Sequence, residues 1–263
     1  MRLQAVLRRD RAVVAGVLAG AVAASWVAVL AGVGTGMPAL DMTGWPTAAG
    51  TMPSMRPAVW TAGYAGLMLL TWWLMMLAMM LPSAAPMILI HAALARRPPG
   101  PASHASTAAF VAGYLTMWGV FSIAAVALQW ALSSVAVLSP EMVITSTAVG
   151  GALLVAAGGW QLTPLKHACL RHCRAPFAFI MQHWRPGALG GWRMGLVHGA
   201  YCLGCCWVLM LLLFYGGMMN VYWIAGLSVL VLAEKTVPAG HWLGTLIGLA
   251  LIGWGVALLA SLA

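Results

Sequence analysis

The few charges in this chain lie between long apolar stretches, and that pattern limits the fold to one that uses lipid as its solvent. No charged residue interrupts Ala12 to Val33. Six further stretches follow: Trp60 to His91, Thr107 to Leu132, Val143 to Leu162, Trp192 to Tyr215, Val221 to Ala233 and Trp242 to Leu262. Only 6% of the 263 residues are charged, whereas a soluble domain carries about 25% and could not otherwise cover its surface. The expected fold is an all-α polytopic membrane bundle of about seven transmembrane helices, forming a single transmembrane domain over residues 1–263. The first stretch exceeds the apolar region of a cleaved signal peptide and reads as an anchor. The second is longer than a hydrocarbon core of about 30 Å requires, so it must tilt, kink or project, with Pro82 and Pro86 as the expected kink.

Lysine and arginine set the orientation. Arg2, Arg8, Arg9 and Arg11 precede the first stretch. Arg96 and Arg97 follow the second, and Lys166, Arg171, Arg174, Arg185 and Arg193 follow the fourth. Lys235 follows the sixth. For seven crossings these twelve of the 13 cations share one side, and only Arg56 lies on the other. The N-terminus is therefore expected in the cytoplasm and the C-terminus outside. Residues 34–57 become a methionine-bearing outer loop, and residues 164–192 a basic, cysteine- and histidine-bearing cytoplasmic loop. The net charge of +9 does not imply nucleic acid, because the cations flank apolar stretches instead of forming a basic face. Trp60, Trp130, Trp192, Trp223 and Trp242 near the stretch ends fit an aromatic belt. Gly16-x-x-x-Gly20 and Gly244-x-x-x-Gly248 are expected to allow close helix contact.

Four acidic residues leave almost no material for a paired-carboxylate active site, and no phosphate-binding glycine loop occurs. Chemistry is concentrated instead in soft donors. The five cysteines sit in two tight groups, a pattern of ligands or redox thiols and not of a secreted disulfide framework. The fifth stretch carries His198, Cys202, Cys205, Cys206 and Met210. At about 3.6 residues per turn His198, Cys202 and Cys205 share one helix face, with Cys206 and Met210 beside it. Thiolate, thioether and imidazole donors suit copper(I), and zinc as an alternative. A single membrane cysteine would read as a small buried hydrophobe. Three within five residues, one turn from an intramembrane histidine, point to function.

The second stretch adds methionines. Met76, Met80 and Met87 share a stripe, as do Met75 and Met79. Methionine fills irregular gaps in any core, but beside a cysteine cluster Met76, Met79 and Met80 become a source of neutral sulfur ligands. The connection before the fifth stretch holds His167, Cys169, His172 and Cys173, a compact donor set without a standard structural zinc spacing. It reads either as a metal relay or as a basic loop near anionic lipid. Met37, Asp41, Met42, Met52 and Met55 in the outer loop could capture copper(I) weakly or be incidental. Glu234 and Lys235 read as a snorkelling pair at a span end, with a role toward the thiols as the alternative.

Several of these motifs resemble, in order, those of the bacterial family of predicted metal-binding integral membrane proteins of unassigned function. They are Trp73-x-x-Met76-x-Ala78-Met79-Met80-x-Pro82-x-x-x-Pro86, Gln161-Leu-Thr-Pro164-Leu-Lys166 with Cys169-x-x-His172-Cys173, Gly204-Cys205-Cys206-Trp207 with Met210, and Glu234-Lys235-x-x-Pro238. The resemblance implies metal binding, sometimes phrased as copper handling, in the inner (cytoplasmic) membrane of a bacterium. The expected function is copper(I) binding with transfer or transport at the membrane. The rival is a membrane thiol–disulfide oxidoreductase using the cysteines of the fifth stretch. That rival faces strained disulfide geometry within one helix. A haem protein is disfavoured because only His198 lies well inside a predicted span. Expected partners are the lipid bilayer, a metal ion and a soluble metallochaperone or cuproenzyme, with self-association left open and no nucleic acid.

Overall fold

A computed structural model describes residues 2–44, 59–96 and 101–262. Met52, Met55, Arg56 and Arg97 therefore lie outside the described residues. The described chain is helical, with no strand among those residues. The helices are α1 Arg2–Leu30, α2 Ala62–Ala95, α3 Pro101–Ser134, α4 Thr147–Gln161, α5 Pro164–Arg174, α6 Pro176–His183, α7 Gly187–Leu211, α8 Leu213–Gly216, α9 Val221–Thr236 and α10 Gly240–Ala260.

Local chemistry explains several helix starts. The side chains of Thr61, Ser146, Thr163 and Asn220 each accept a backbone N–H in the first turn of α2, α4, α5 and α9. Pro164 follows Thr163 at the first helical position of α5, where its missing N–H costs nothing. Pro82 and Pro86 are accommodated within α2, which runs unbroken for 34 residues.

Five segments are long and apolar enough to cross a membrane: Arg11–Leu30, Ala62–Ala95, His104–Ser134, Gly187–Gly216 and Trp242–Ala260. A sixth results if α4 and α5, bent by 60° at their junction, count as one broken span. By length, then, the count falls short of seven. At 1.5 Å per residue the 16 residues of α9 cover only about 24 Å. Residues 164–192, expected as a loop, instead form α5, α6 and the first turns of α7.

Glycine decides which helices touch. Gly191, Gly195 and Gly199 line the face of α7 against α3. A Cβ would lie 2.3 Å from the Ser106 carbonyl oxygen at Gly191, 2.0 Å from that of Phe110 at Gly195, and 2.8 Å from Met117 Cβ at Gly199. A Cβ on Gly113 of α3 would reciprocally meet the Trp192 carbonyl at 2.2 Å. α4 and α10 interlock likewise, with Gly158 facing the Gly248 carbonyl and Gly255 that of Gly151. The expected contact at Gly248 is thus present. Gly16 and Gly20, however, have nothing within 4 Å of an added Cβ and pack against nothing in the described chain. α2 packs against α1, α3 and α9, and α5 packs against α7. This arrangement brings α2, α3, α5, α7 and α9 around one buried region.

Candidate metal centre

Cys202, Cys205 and Cys206 are fully buried on α7. The thiols of Cys205 and Cys206 both donate to the Cys202 carbonyl, at 3.0 and 3.1 Å. Cys202 Sγ is the centre of a wider set of contacts. Tyr114 Oη from α3 lies 3.1 Å from it, and Lys235 Nζ from α9 donates to it at 2.9 Å. Lys235 also donates to Ser83 Oγ of α2 at 3.0 Å, and Ser83 Oγ donates to the Met80 carbonyl at 2.9 Å. Tyr114 donates to that same carbonyl at 3.2 Å. Four helices are therefore joined in one hydrogen-bond network around this cysteine.

Lys235 corrects the expectation of an interfacial, snorkelling pair. Glu234 and Lys235 are both buried and do not pair with each other. Successive residues of a helix point about 100° apart, so they serve different neighbours. Glu234 turns to Lys166 of α5, whose Nζ reaches its two carboxylate oxygens at 2.7 and 2.8 Å. Gln161 completes the group, donating to Glu234 at 2.9 Å and accepting from Lys166. This triad joins α4, α5 and α9. Arg174, at the far end of α5, clamps the turn after α9 through the carbonyls of Val237 and Pro238. The spacing of Gln161, Lys166, Glu234 and Pro238 in the sequence is the trace of this fastening.

Fastened in this way, α5 presents Cys169 and Cys173, one turn apart, to α7. A Cβ on Gly204 would lie 2.8 Å from Cys169 Sγ, so the glycine before Cys205 is where that thiol seats. The Cys173 side chain interacts with both Cys202 and Cys205. The two cysteine groups, separate in the sequence reading, thus adjoin. His172 turns elsewhere: its ring stacks on Tyr201 with centroids 4.0 Å apart, and its Nδ1 meets the Ala168 carbonyl at 2.9 Å.

His198 is buried among aromatic rings, with Tyr114, Phe110 and Phe179 centroids at 5.6, 6.0 and 5.4 Å. Its Nδ1 has no hydrogen-bond partner. Met76, Met79, Met80 and Met210 are all buried. α3 and α9 lie against α2, and Tyr114 and Lys235 link its Met80 and Ser83 to Cys202 of α7. Among the described residues, no three histidine, cysteine, aspartate or glutamate side chains already stand in a metal-holding arrangement.

The sequence reading missed several residues of this region. Tyr114 and Ser83 carry no motif and enter only through packing. His91 of α2 is as buried as His198, and its spacing from Met87 was the available signal. Toward the other end of α2, Gln129 Nε2 donates to Met68 Sδ at 3.5 Å and Met142 Sδ at 3.3 Å, while its oxygen accepts from Trp72.

Searches of curated proteins and of solved structures find no match to the chain. The sequence model of a family described as copper chaperone (PpoB2) matches residues 69–258, a stretch that includes α3 to α9 whole and most of α2 and α10. With well over half its length matched, this chain belongs to the PpoB2 copper chaperone family.

Proposed function

We propose that this protein binds copper(I) within the bilayer and passes it on, across the membrane or at its cytoplasmic face. The observation that carries the reading is three buried thiols, Cys202, Cys205 and Cys206, within about one turn of α7, with the Lys235 ammonium bonded to Cys202 and Cys169 of α5 seated at Gly204. Thiolates select soft ions, and an uncompensated charge in a low-dielectric interior is costly. Two thiolates, one copper(I) and the Lys235 ammonium sum to zero, so a dithiolate copper(I) site would be neutral here. The thiols of Cys205 and Cys206 now bond to a backbone carbonyl and need only a side-chain rotation to face an ion. His198, Met210 and the methionines Met76, Met79 and Met80 offer further soft donors. Cys169, His172 and Cys173 of α5 form the transfer point toward a soluble metallochaperone or cuproenzyme. Zinc would also accept two thiolates.

The proposed setting is the bacterial inner membrane, with one transmembrane domain and seven crossings. α4 and α9 are short, but both must cross for the cations to share a side.

One observation favours the oxidoreductase alternative. Cys173 lies on a different helix from Cys202 and Cys205, which avoids the strain of a disulfide within α7. Its reaction would remove two electrons and two protons from two thiols, form one S–S bond and reduce a quinone to a quinol.

Titration of detergent-purified protein against a copper(I) chelator, with a free-thiol count, separates the readings. Cys202→Ser and Cys205→Ser are each expected to abolish tight copper binding, because serine substitutes a hard, neutral donor. Cys206→Ser should weaken binding less. Cys169→Ser should leave the membrane site filled while slowing transfer to an acceptor. Full copper in both Cys202→Ser and Cys205→Ser refutes the site. A Cys173 disulfide in protein that binds no copper establishes the oxidoreductase instead.

A further inference from the structure

Both ring nitrogens of His91 are buried and without a hydrogen-bond partner. The side chain is 0% exposed. An imidazole has a donor and an acceptor to satisfy in its neutral form, and leaving both unmade in a dry interior costs free energy. The surrounding rings cannot fill that role. His91 stacks on Phe110 with centroids 4.7 Å apart and lies 5.7 Å from Trp184. Phe110 is shared with His198, whose Nδ1 is likewise unpartnered. Two buried imidazoles with spare nitrogens therefore neighbour one phenyl ring.

The position of His91 on α2 gives this vacancy a direction. Met76, Met80, Ser83, Met87 and His91 recur at intervals of three and four residues, so they line one face of the helix. All five are buried. Ser83 marks the level of the cysteine cluster, because Lys235 joins it to Cys202. His91 lies eight residues further on, about 12 Å along the axis at 1.5 Å per residue. Met87 is one turn back on the same face. Imidazole and thioether are both ligands for a soft, monovalent d10 ion, and copper(I) accepts two or three such donors. The Trp184 ring lies 5.7 Å from that imidazole, and an aromatic face favours positive charge.

We propose that His91, with Met87 as its thioether partner, is a second copper(I) station on α2, distinct from the cysteine cluster and next to it along the helix. The proposal rests on the copper reading above and extends it: the ion leaves the thiolates for weaker, neutral donors before it leaves the protein. Neutral donors hold copper(I) less tightly than thiolates, so the order of affinities favours loading at the cysteines and occupation of His91 when they are full.

Copper(I) stoichiometry tests this on the full-length protein in detergent, with a weak competing chelator so that both classes of site register. Wild type is expected to bind two equivalents, the second more weakly. His91→Leu, which fills the apolar cage, should lose the weak equivalent and keep the tight one. His91→Met should restore the weak equivalent, because a soft donor returns. The Cys202→Ser/Cys205→Ser double variant should lose only the tight equivalent, and X-ray absorption of its remaining copper should show imidazole scattering. Equal copper in wild type and His91→Leu overturns the second station and leaves the cysteine site standing. Loss of the tight equivalent in both His91→Leu and His91→Met also overturns it, since His91 would then be structural. A double cysteine variant that binds as much copper as wild type refutes the cysteine site and not His91.

Discussion

Lys166 and Lys235 are both buried lysines, yet they hold different kinds of partner, and they should fail differently. Lys166 faces a carboxylate, in an ion pair about 1% exposed on each side. Removing one partner of such a pair strands the other and costs about 3–5 kcal/mol. Lys166→Met is therefore expected to lower the unfolding temperature sharply, and Lys166→Met combined with Glu234→Leu should recover much of the loss, because no charge is then left unpaired. Differential scanning fluorimetry on the single and double variants measures this; a double variant no more stable than the single one contradicts the pairing. Lys235 faces Cys202 Sγ and Ser83 Oγ, with no carboxylate bonded to it. Lys235→Met should weaken copper(I) binding about tenfold, roughly 1.4 kcal/mol, by removing the counter-charge of a ligating thiolate. Chelator competition reads that change, and unaltered affinity would remove Lys235 from the site. The sequence displayed Glu234 and Lys235 as adjacent opposite charges, which suggests a local pair. Only the helical rotation between neighbours sends one to α5 and the other to Cys202.

At the scale of the element, α7 joins two neighbours. Gly191, Gly195 and Gly199 receive α3, whose Tyr114 also reaches Cys202 on that side, while Gly204 receives Cys169 of α5. Without a hydrophobic drive between helices in lipid, close backbone approach supplies the contact. A Cβ at Gly195 would sit 2.0 Å from the Phe110 carbonyl, a rigid backbone atom. Gly195→Ala must therefore separate α3 from α7 and should destabilise the protein by about 1–3 kcal/mol. It should also weaken copper binding, since Tyr114 on α3 contacts Cys202. Gly16→Ala is the control, with nothing within 4 Å to resist it. Melting curves of the two variants compare the effects, and equal curves would count against the packing. The glycine pairs most visible in the sequence included Gly16 and Gly20, which touch nothing described. Spacing alone does not say which face meets a neighbour.

For the whole molecule, length and charge give different numbers of crossings. Five segments suffice by length, or six with the bent α4–α5 pair, whereas the cation distribution asks for seven. Both α4 and α9 are too short to span a hydrocarbon core of about 30 Å unaided. α4 packs against α10, and α9 against α2 and α5. Reporter fusions at Arg174 should therefore label as cytoplasmic and a fusion after Ala263 as external. A cytoplasmic C-terminus would remove one of the two short crossings.

Membrane class, the approximate helix positions and the presence of cysteine, histidine and methionine within those helices were all legible from one dimension. They depend on hydropathy, charge spacing and residue type, which are local properties. The family was legible too, because its motifs keep their order along the chain. Convergence was not. Cys173 and Cys202 are far apart in the sequence, and nothing in either motif says that a fastened α5 lays one against the other. The intervention of Tyr114 and Lys235 between α2 and Cys202, and the burial of His91 without partners, likewise depend on how helices rotate and approach. Those are set by glycine contacts and a buried ion pair acting across the bundle, and such long-range interactions exist only once the helices have packed.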